Sequence, residues 1–559
     1  MSLSDISGRL ATHAGLRHLL FLGAALLSML LIGYQFGTFD QVVHIPFMKA
    51  AANPSLYPGD EFVALRNPPT SFFWVLFIPF YRWGILEVSL FVFHCLATYL
   101  TFWAVWSLSI SLFKDTLAGV LAVLAFIFPH FGFLGFPVIE FSLLNRTFVL
   151  PFLLFAINLY LNKRHKWAFL LLGLAANFHA LSAGMVFMML LFASLVEVKR
   201  VGLTTLFQAV LLCILGAAPL VLLMAGSGRV LDWSLRPEWL SVVARGILYQ
   251  VFFPFSTIPY ILLLTLGGCS AVGLILVSQP PHQPDDPGRA TWLMLSAASV
   301  IFAVGILTAL LLPVTVLIEL QLNRASLFIL IFAYLYFAGY LAQKYRAGQM
   351  EKTHFGLLAG SFIVSTSPIM PLVFWGIIRW LKPRKLRWSI VTTCVAGSLA
   401  VFLAVALALG VWSPGIYVFP RQTSWLDVQQ WAQENTPIDA VFITPPEKGD
   451  IYEPDWRVFS ERSSVISVIE LLEVALAPEY LATWQERFTA LAPGALEQFN
   501  GIYFESDRAA RRAFYNLTDQ ALLDAATRYH AAYLVVEKPN LRDFPIVYEN
   551  QDYVIHSIR

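Results

Sequence analysis

Long apolar runs recur through residues 1–412, and most have the length needed to cross a hydrocarbon layer. A core of about 30 Å takes roughly 20 residues of helix. Runs near 19–37, 86–112, 116–134, 147–162, 203–225, 251–278, 291–315, 325–342 and 388–412 meet or approach that length. Only 13% of the residues are charged, against about 25% in ordinary soluble chains. The expectation is a polytopic α-helical membrane protein. The net charge of +2 leaves no basic footprint for nucleic acid.

Two further apolar stretches, Trp167–Val196 and Phe355–Trp380, are ambiguous: both carry breakers, and as one helix Trp167–Val196 would put Lys199 and Arg200 outside, against the charge rule. Each reads as two short helices, meeting near Asn177-Phe178-His179-Ala180 and at Ser365-Thr366-Ser367-Pro368. A helix of about 12 residues covers only about 18 Å, so such a turn needs shelter from protein or a water-filled cavity. This brings the expected count to about 13 spans. It also places Lys163, Arg164 and Lys166, Lys199 and Arg200, and Lys382, Arg384 and Lys385 on the cytoplasmic side, as the charge rule favours. The N-terminus, with Arg9 and Arg17 ahead of the first run, reads as a cytoplasmic signal anchor. Ser71–Tyr81 is apolar but short, and reads as a helix lying in the interface.

Composition changes at Ser413. Residues 413–559 carry ordinary charge. They read as a helix from a serine cap at Ser424 to Glu434, a strand at Ala440–Thr444, a helix at Ala521–Tyr529, a strand at Ala532–Val536, and a hairpin around Glu549-Asn550-Gln551-Asp552. The expectation is a transmembrane domain over 1–412 and an extracytoplasmic α/β domain over 413–559. The four cysteines, Cys95, Cys213, Cys269 and Cys394, lie in apolar runs with no metal-binding spacing and read as small core residues.

The polar residues that carry chemistry cluster where the runs end on the outer side. Asp40 and His44 follow the first run, four residues apart, and share a face if that segment is helical. Carboxylates at membrane depth usually have a task or a partner. Asp40 is the candidate base, with His44 orienting it or taking its proton; alternatively, Asp40 merely ends the span at the headgroups. Asp60 and Glu61 on the same loop either contact an acceptor or form a solvated face. Glu140 and Arg146 read as an ion pair between helix ends, or Arg146 as a phosphate ligand. Arg324, flanked by Gln321 and Asn323, reads as a guanidinium fork for a lipid phosphate or as an interfacial anchor. His179 either lines a cavity or is a buried, hydrogen-bonded histidine. Trp74, Trp83 and Tyr57 either stack on a sugar or lie along lipid.

The order of parts resembles the GT-C membrane glycosyltransferases, a group that includes protein O-mannosyltransferases, aminoarabinose transferases and bacterial oligosaccharyltransferase. The residues carrying it are Phe39-Asp40, Asn145-Arg146-Thr147, Asn177-Phe178-His179 and Val547-Tyr548-Glu549-Asn550 with Tyr553-Val554-Ile555. The runs from Asp40 to Asp60 and from Thr436 to Arg462 are similar to a family of uncharacterised bacterial membrane proteins. The GT-C resemblance implies transfer of a sugar from a polyprenyl-phosphate donor to a glycan, lipid or protein acceptor at the outer face of a bacterial inner membrane. A divalent metal is implied in several such enzymes, but the acidic pair that often follows their first span is absent: Asp40 is followed by Gln41. Two rivals stand beside this reading. One is a non-catalytic assembly or glycan-binding protein on the same scaffold. The other is a lipid or glycan transporter.

Overall fold

The computed structural model describes residues 3–38, 40–66, 70–130, 137–226, 231–246, 258–278, 287–380, 386–408, 414–447, 453–501 and 503–558. Phe39, Asn67-Pro68-Pro69, residues 251–257 of the eighth expected span, and Lys382, Arg384 and Lys385 lie outside them.

Among the described residues, five helices are long and apolar enough to cross a membrane: Ala14–Ile32, Leu86–Phe113, Leu203–Gly226, Pro287–Leu311 and the continuous stretch Thr315–Arg346. Shorter apolar helices stand beside them, including Thr116–Ala125, Asn145–Leu161 and Trp388–Ala408. The protein is a membrane protein by this measure. The first span ends at Ile32 rather than near Gly37, because Gly33 stops the helix and Tyr34–Gln35 forms a short strand, β1. Helix Ser326–Arg346 is apolar on every face, which suits only the centre of a bundle, and its side chains from Phe328 to Ala338 are all buried. Leu203–Gly226 stands at the other extreme. Phe207, Leu211, Ile214, Leu215 and Leu222 are exposed along it, as expected of a lipid-facing helix.

Both broken helices form where the breakers lie, as His165–Ala176 with Ala180–Val196, and as Lys352–Val364 with Ile369–Trp380. The first break is sheltered by protein. The Asn177 amide donates to the carbonyls of Gly173 (3.2 Å) and Gly216 (2.8 Å), and its Oδ1 accepts from the Leu220 amide (3.0 Å). The Asn177 carbonyl accepts from the Phe72 amide at 2.9 Å, where helix Phe72–Arg82 begins. His165–Ala176 and Leu203–Gly226 approach so closely that a Cβ on Gly173 would lie 2.1 Å from the Cys213 carbonyl oxygen. Small residues at such crossings are how apolar helices pack without a hydrophobic driving force.

The C-terminal residues form a five-stranded sheet in the order β4 (Ser463–Ser464), β3 (Val441–Ile443), β5 (Tyr533–Glu537), β7 (Tyr553–Ser557), β6 (Ile546–Glu549). β3 runs parallel to β4 and β5, and β6 and β7 make the expected hairpin. The first helix is capped by Thr423, whose hydroxyl accepts from the Leu426 amide, so Ser424 is its first residue and not its cap. β2 (Ile416–Tyr417) pairs in parallel with β1, tying the unit to the end of the first span.

The C-terminal unit keeps a small core of its own around Val428, Phe442, Trp456, Val535 and Ile555, but most of its buried side chains lie elsewhere. These, among them Ile443, Val458, Trp484, Leu534 and Val554, pack in one cluster with Tyr34, Phe36, Val42, Ile45, Phe62 and Trp239. Lys49 donates to the Val458 carbonyl and pairs with Glu461, both at 2.7 Å, and the Tyr57 hydroxyl donates to the Arg457 carbonyl at 2.7 Å. The Trp239 indole, on helix Pro237–Gly246, donates to the Val474 carbonyl at 2.7 Å. An aromatic side chain truncated in such a core costs about 3–5 kcal/mol. The unit is therefore held in register over the ends of the helices.

Candidate active site

Asp40 stands immediately before helix Gln41–Ala52, and the His44 amide donates to its carbonyl at 3.3 Å. One helical turn thus puts both side chains on one face, and both line a cavity of about 330 Å³. That is within the range of about 300–1,000 Å³ common for ligand pockets. The cavity gathers polar and aromatic residues from seven parts of the chain. Asp40 and His44 come from the first helix after the opening span, Arg66 from the turn after Glu61–Ala64, and Trp74 from Phe72–Arg82. Arg146 opens Asn145–Leu161, and His179 sits at the break. Glu319, Gln321 and Arg324 surround the 3₁₀ turn Leu322–Ala325, and Glu473 comes from the C-terminal unit. Gly305 lets that turn seat: a Cβ there would lie 2.6 Å from the Asn323 amide nitrogen. Gln321 has φ +47°, the left-handed region.

Arg146 is the hub of the charges. It donates to Asp40 Oδ2 at 2.6 Å and to Glu140 Oε2 at 2.8 Å, with a second contact to Glu140 through Nε. Burial would raise the Asp40 pKa, but Arg146, helped by His44 and Arg324, outweighs it and holds the carboxyl below its ordinary value. Burial dominates at Glu140 and raises it, Arg146 offsetting only part. Asp40 is therefore a fixed carboxylate. Arg146 engages only its Oδ2, and among the described residues no hydrogen bond reaches Oδ1. Burial lowers the His44 pKa, with Glu473 and Asp40 pulling the other way, so the imidazole is neutral at pH 7 and able to take a proton. It packs on Trp74 with ring centroids 5.6 Å apart, which places that tryptophan in the cavity wall and not along lipid.

His179 caps helix Ala180–Val196, its Nδ1 accepting from the Ser182 amide at 3.3 Å. That bond places the ring proton on Nε2, making His179 a donor toward the cavity. Arg66 and Glu473 form an ion pair, with Nε to Oε2 at 2.6 Å, on the side of the cavity covered by Leu472 and Leu476. Leu220 and Met224 close another side, and both belong to the helix whose outer face is lipid-exposed. Arg146 and Arg324 also border a smaller cavity of about 40 Å³ next to Glu140 and Ser182.

Asp40, His44, Arg146, His179, Gln321 and Arg324 thus meet in one place. Four sequence candidates do not line it. Glu140 stands behind Arg146. Asn323 is buried in its turn. Asp60 is neither solvated nor open to an acceptor: it is buried, caps helix Glu61–Ala64, and accepts from Arg457 at 2.7 Å. Glu61 points outward and pairs with Arg487 at 2.6 Å. Tyr57 is buried in the core shared with the C-terminal unit, and Trp83 is exposed. The sequence reading missed Arg66, Glu319 and Glu473. Glu473 carried a signal, an acid inside the otherwise apolar run Leu471-Leu472-Glu473-Val474. Among the described residues no three His, Cys, Asp or Glu side chains are arranged to hold a metal ion, and the Asp40 carboxylate is engaged by Arg146. The residues do not fit a divalent metal centre.

Residues 423–491 match the family model of DUF6798, a domain of unknown function, a segment that includes Arg457 and Glu473. No curated protein matches the chain. Two solved structures of Archaeoglobus fulgidus are similar over 93% of this chain and 69% of theirs. One is the archaeal oligosaccharyltransferase AglB with an inhibitory peptide and a dolichol-phosphate, at 12% identity and a TM-score of 0.45. The other is an oligosaccharyltransferase in the apo form, at 13% identity and a TM-score of 0.47.

Proposed function

We propose that the protein is a membrane glycosyltransferase of the GT-C class, moving a sugar from a polyprenyl-phosphate donor to an acceptor hydroxyl or amide. One observation carries this reading. A single cavity beside a lipid-facing helix holds a fixed carboxylate, a neutral histidine one turn away, and three arginines.

On this reading the acceptor donates its hydrogen bond to Asp40 Oδ1 and attacks the anomeric carbon. The bond from that carbon to the phosphate oxygen breaks, and its electron pair leaves with the phosphate. Arg324 and Arg66 stabilise the leaving anion. An aspartate held by Arg146 is a constant hydrogen-bond acceptor but a weak base, so the acceptor's proton passes to His44. The donor's polyprenyl chain runs along Leu220 and Met224 toward lipid. The C-terminal unit covers the cavity on the extracytoplasmic side of a bacterial inner membrane, with the N-terminus in the cytoplasm. The test is transfer by membranes containing the protein, offered a panel of radiolabelled polyprenyl-phosphate sugars. Incorporation into a product that depends on the protein supports the reading.

A further inference from the structure

At the other end of the bundle, a third cavity, of about 310 Å³, is lined by Arg17, His18, Phe21, Trp103, Trp106, Ser107, Ile110, Ser111 and Asn158. Arg17 lies in the first turns of Ala14–Ile32, and Ser107 and Ser111 in the last turns of Leu86–Phe113. Both helices have their opposite ends at the side that carries the C-terminal unit, so this cavity opens at the far rim of the apolar layer.

We infer that this cavity binds the phosphate headgroup of an anionic membrane phospholipid. Its lining contains one guanidinium and no acid, together with hydroxyl, amide and imidazole groups. The polar side is organised: Asn162 donates to Ser111 Oγ at 2.9 Å and Ser111 donates to Asn158 Oδ1 at 2.7 Å, which turns the Asn158 amide into a donor for a further partner. His18 is fixed by the Tyr99 hydroxyl at 2.6 Å and by Trp103, edge to face, at 5.2 Å. Among the described residues, three arginines at this rim pair with carboxylates, Arg346 with Asp115 at 2.6 Å and Arg200 and Arg289 with Glu197, whereas Arg164, outside the cavity, and Arg17, inside it, do not. An exposed apolar strip (Leu19, Leu22, Val92, Leu96) runs along both helices from the cavity and suits acyl chains. Basic pockets between membrane helices have this chemistry for anionic headgroups.

The full-length protein in detergent, titrated with dioleoyl phosphatidylglycerol and followed by native mass spectrometry and thermal unfolding, tests this. Arg17→Gln should weaken binding about 10-fold, the size of one lost charge-assisted hydrogen bond. Asn158→Ala should weaken it less, and Arg17→Lys, which keeps the charge that orients the helix, should weaken it only partly. Arg164→Gln, a charge removed at the same rim outside the cavity, should leave it unchanged. Glycerol 3-phosphate, a headgroup without chains, should not compete at equal concentration. Unchanged binding in Arg17→Gln and Asn158→Ala, an equal loss in Arg164→Gln, or competition by the free headgroup would overturn the assignment.

Discussion

Arg66 and Glu473, 407 positions apart in sequence, form an ion pair that closes the cavity from the side of the C-terminal unit. Glu473 is almost wholly buried, at 2% side-chain exposure, and Arg66 is at 12%. Removing one partner of such a pair costs about 3–5 kcal/mol, because the other charge stays buried. Glu473→Gln should therefore lower the melting temperature of the solubilised protein and reduce transfer. Arg66→Met with Glu473→Leu should recover most of the stability but not the transfer. Recovery of both would show that the pair is structural only.

Asp60 and Arg457 make a second long-range contact, at 2.7 Å, and Arg457 also meets Glu470 at 2.9 Å. Both acids are away from the cavity. Asp60→Ala should cost about 1.5–3 kcal/mol, the size of lost charge-assisted hydrogen bonds since Glu470 still pairs with Arg457, and loosen the C-terminal unit toward proteases. The donor KM of the protein that remains folded should be unchanged. A large rise in KM at equal folding would place Asp60 in substrate binding after all.

Glu470 gives a pH dependence. Burial raises its pKa to about 7; Arg457 opposes this and the nearby Asp60 adds to it, since two carboxylates share one guanidinium. A raised carboxyl favours the fold while protonated. Its contribution is present in full below the unfolded value of about 4.5 and is lost as pH rises through about 7. Asp40, with its pKa lowered, acts in the opposite sense, contributing above its ordinary value and losing that contribution in acid. Thermal unfolding at pH 5 and pH 8 should show a fall with rising pH in the wild type that is smaller in Glu470→Gln. An identical fall in both proteins would remove Glu470 as its source.

Arg324 borders the 330 Å³ cavity and the 40 Å³ cavity beside it, and influences Asp40 electrostatically. Arg324→Gln should reduce kcat/KM for a polyprenyl-phosphate donor by about 10–100-fold, the range expected for one charge-assisted contact. The melting temperature should move little. An unchanged kcat/KM would make it an interfacial anchor.

Local signals were legible in the sequence and long-range partners were not. Apolar length, together with Asn177 or Pro368 as breakers, located both split helices because a break is decided within a few residues. The four-residue spacing of Asp40 and His44 put them on one face once the segment became helical. Asp60-Glu61 shows the limit. The two neighbours read as one acidic pair, yet one turns inward to Arg457 and the other outward to Arg487, partners 397 and 426 positions away. Nothing near residue 60 specifies that choice; the core shared with the C-terminal unit does. Arg66 was passed over for the same reason, since its meaning lies in Glu473.

The most direct measurement is sugar transfer by wild-type protein and by Asp40→Asn at equal expression and equal melting temperature. The asparagine keeps the shape but removes the charge that receives the acceptor's hydrogen bond. Transfer in the wild type and a loss of about 10–100-fold in Asp40→Asn is the expected result, the size of one lost charge-assisted hydrogen bond to the acceptor. Transfer that persists undiminished in Asp40→Asn would contradict the assignment of the cavity's central carboxylate.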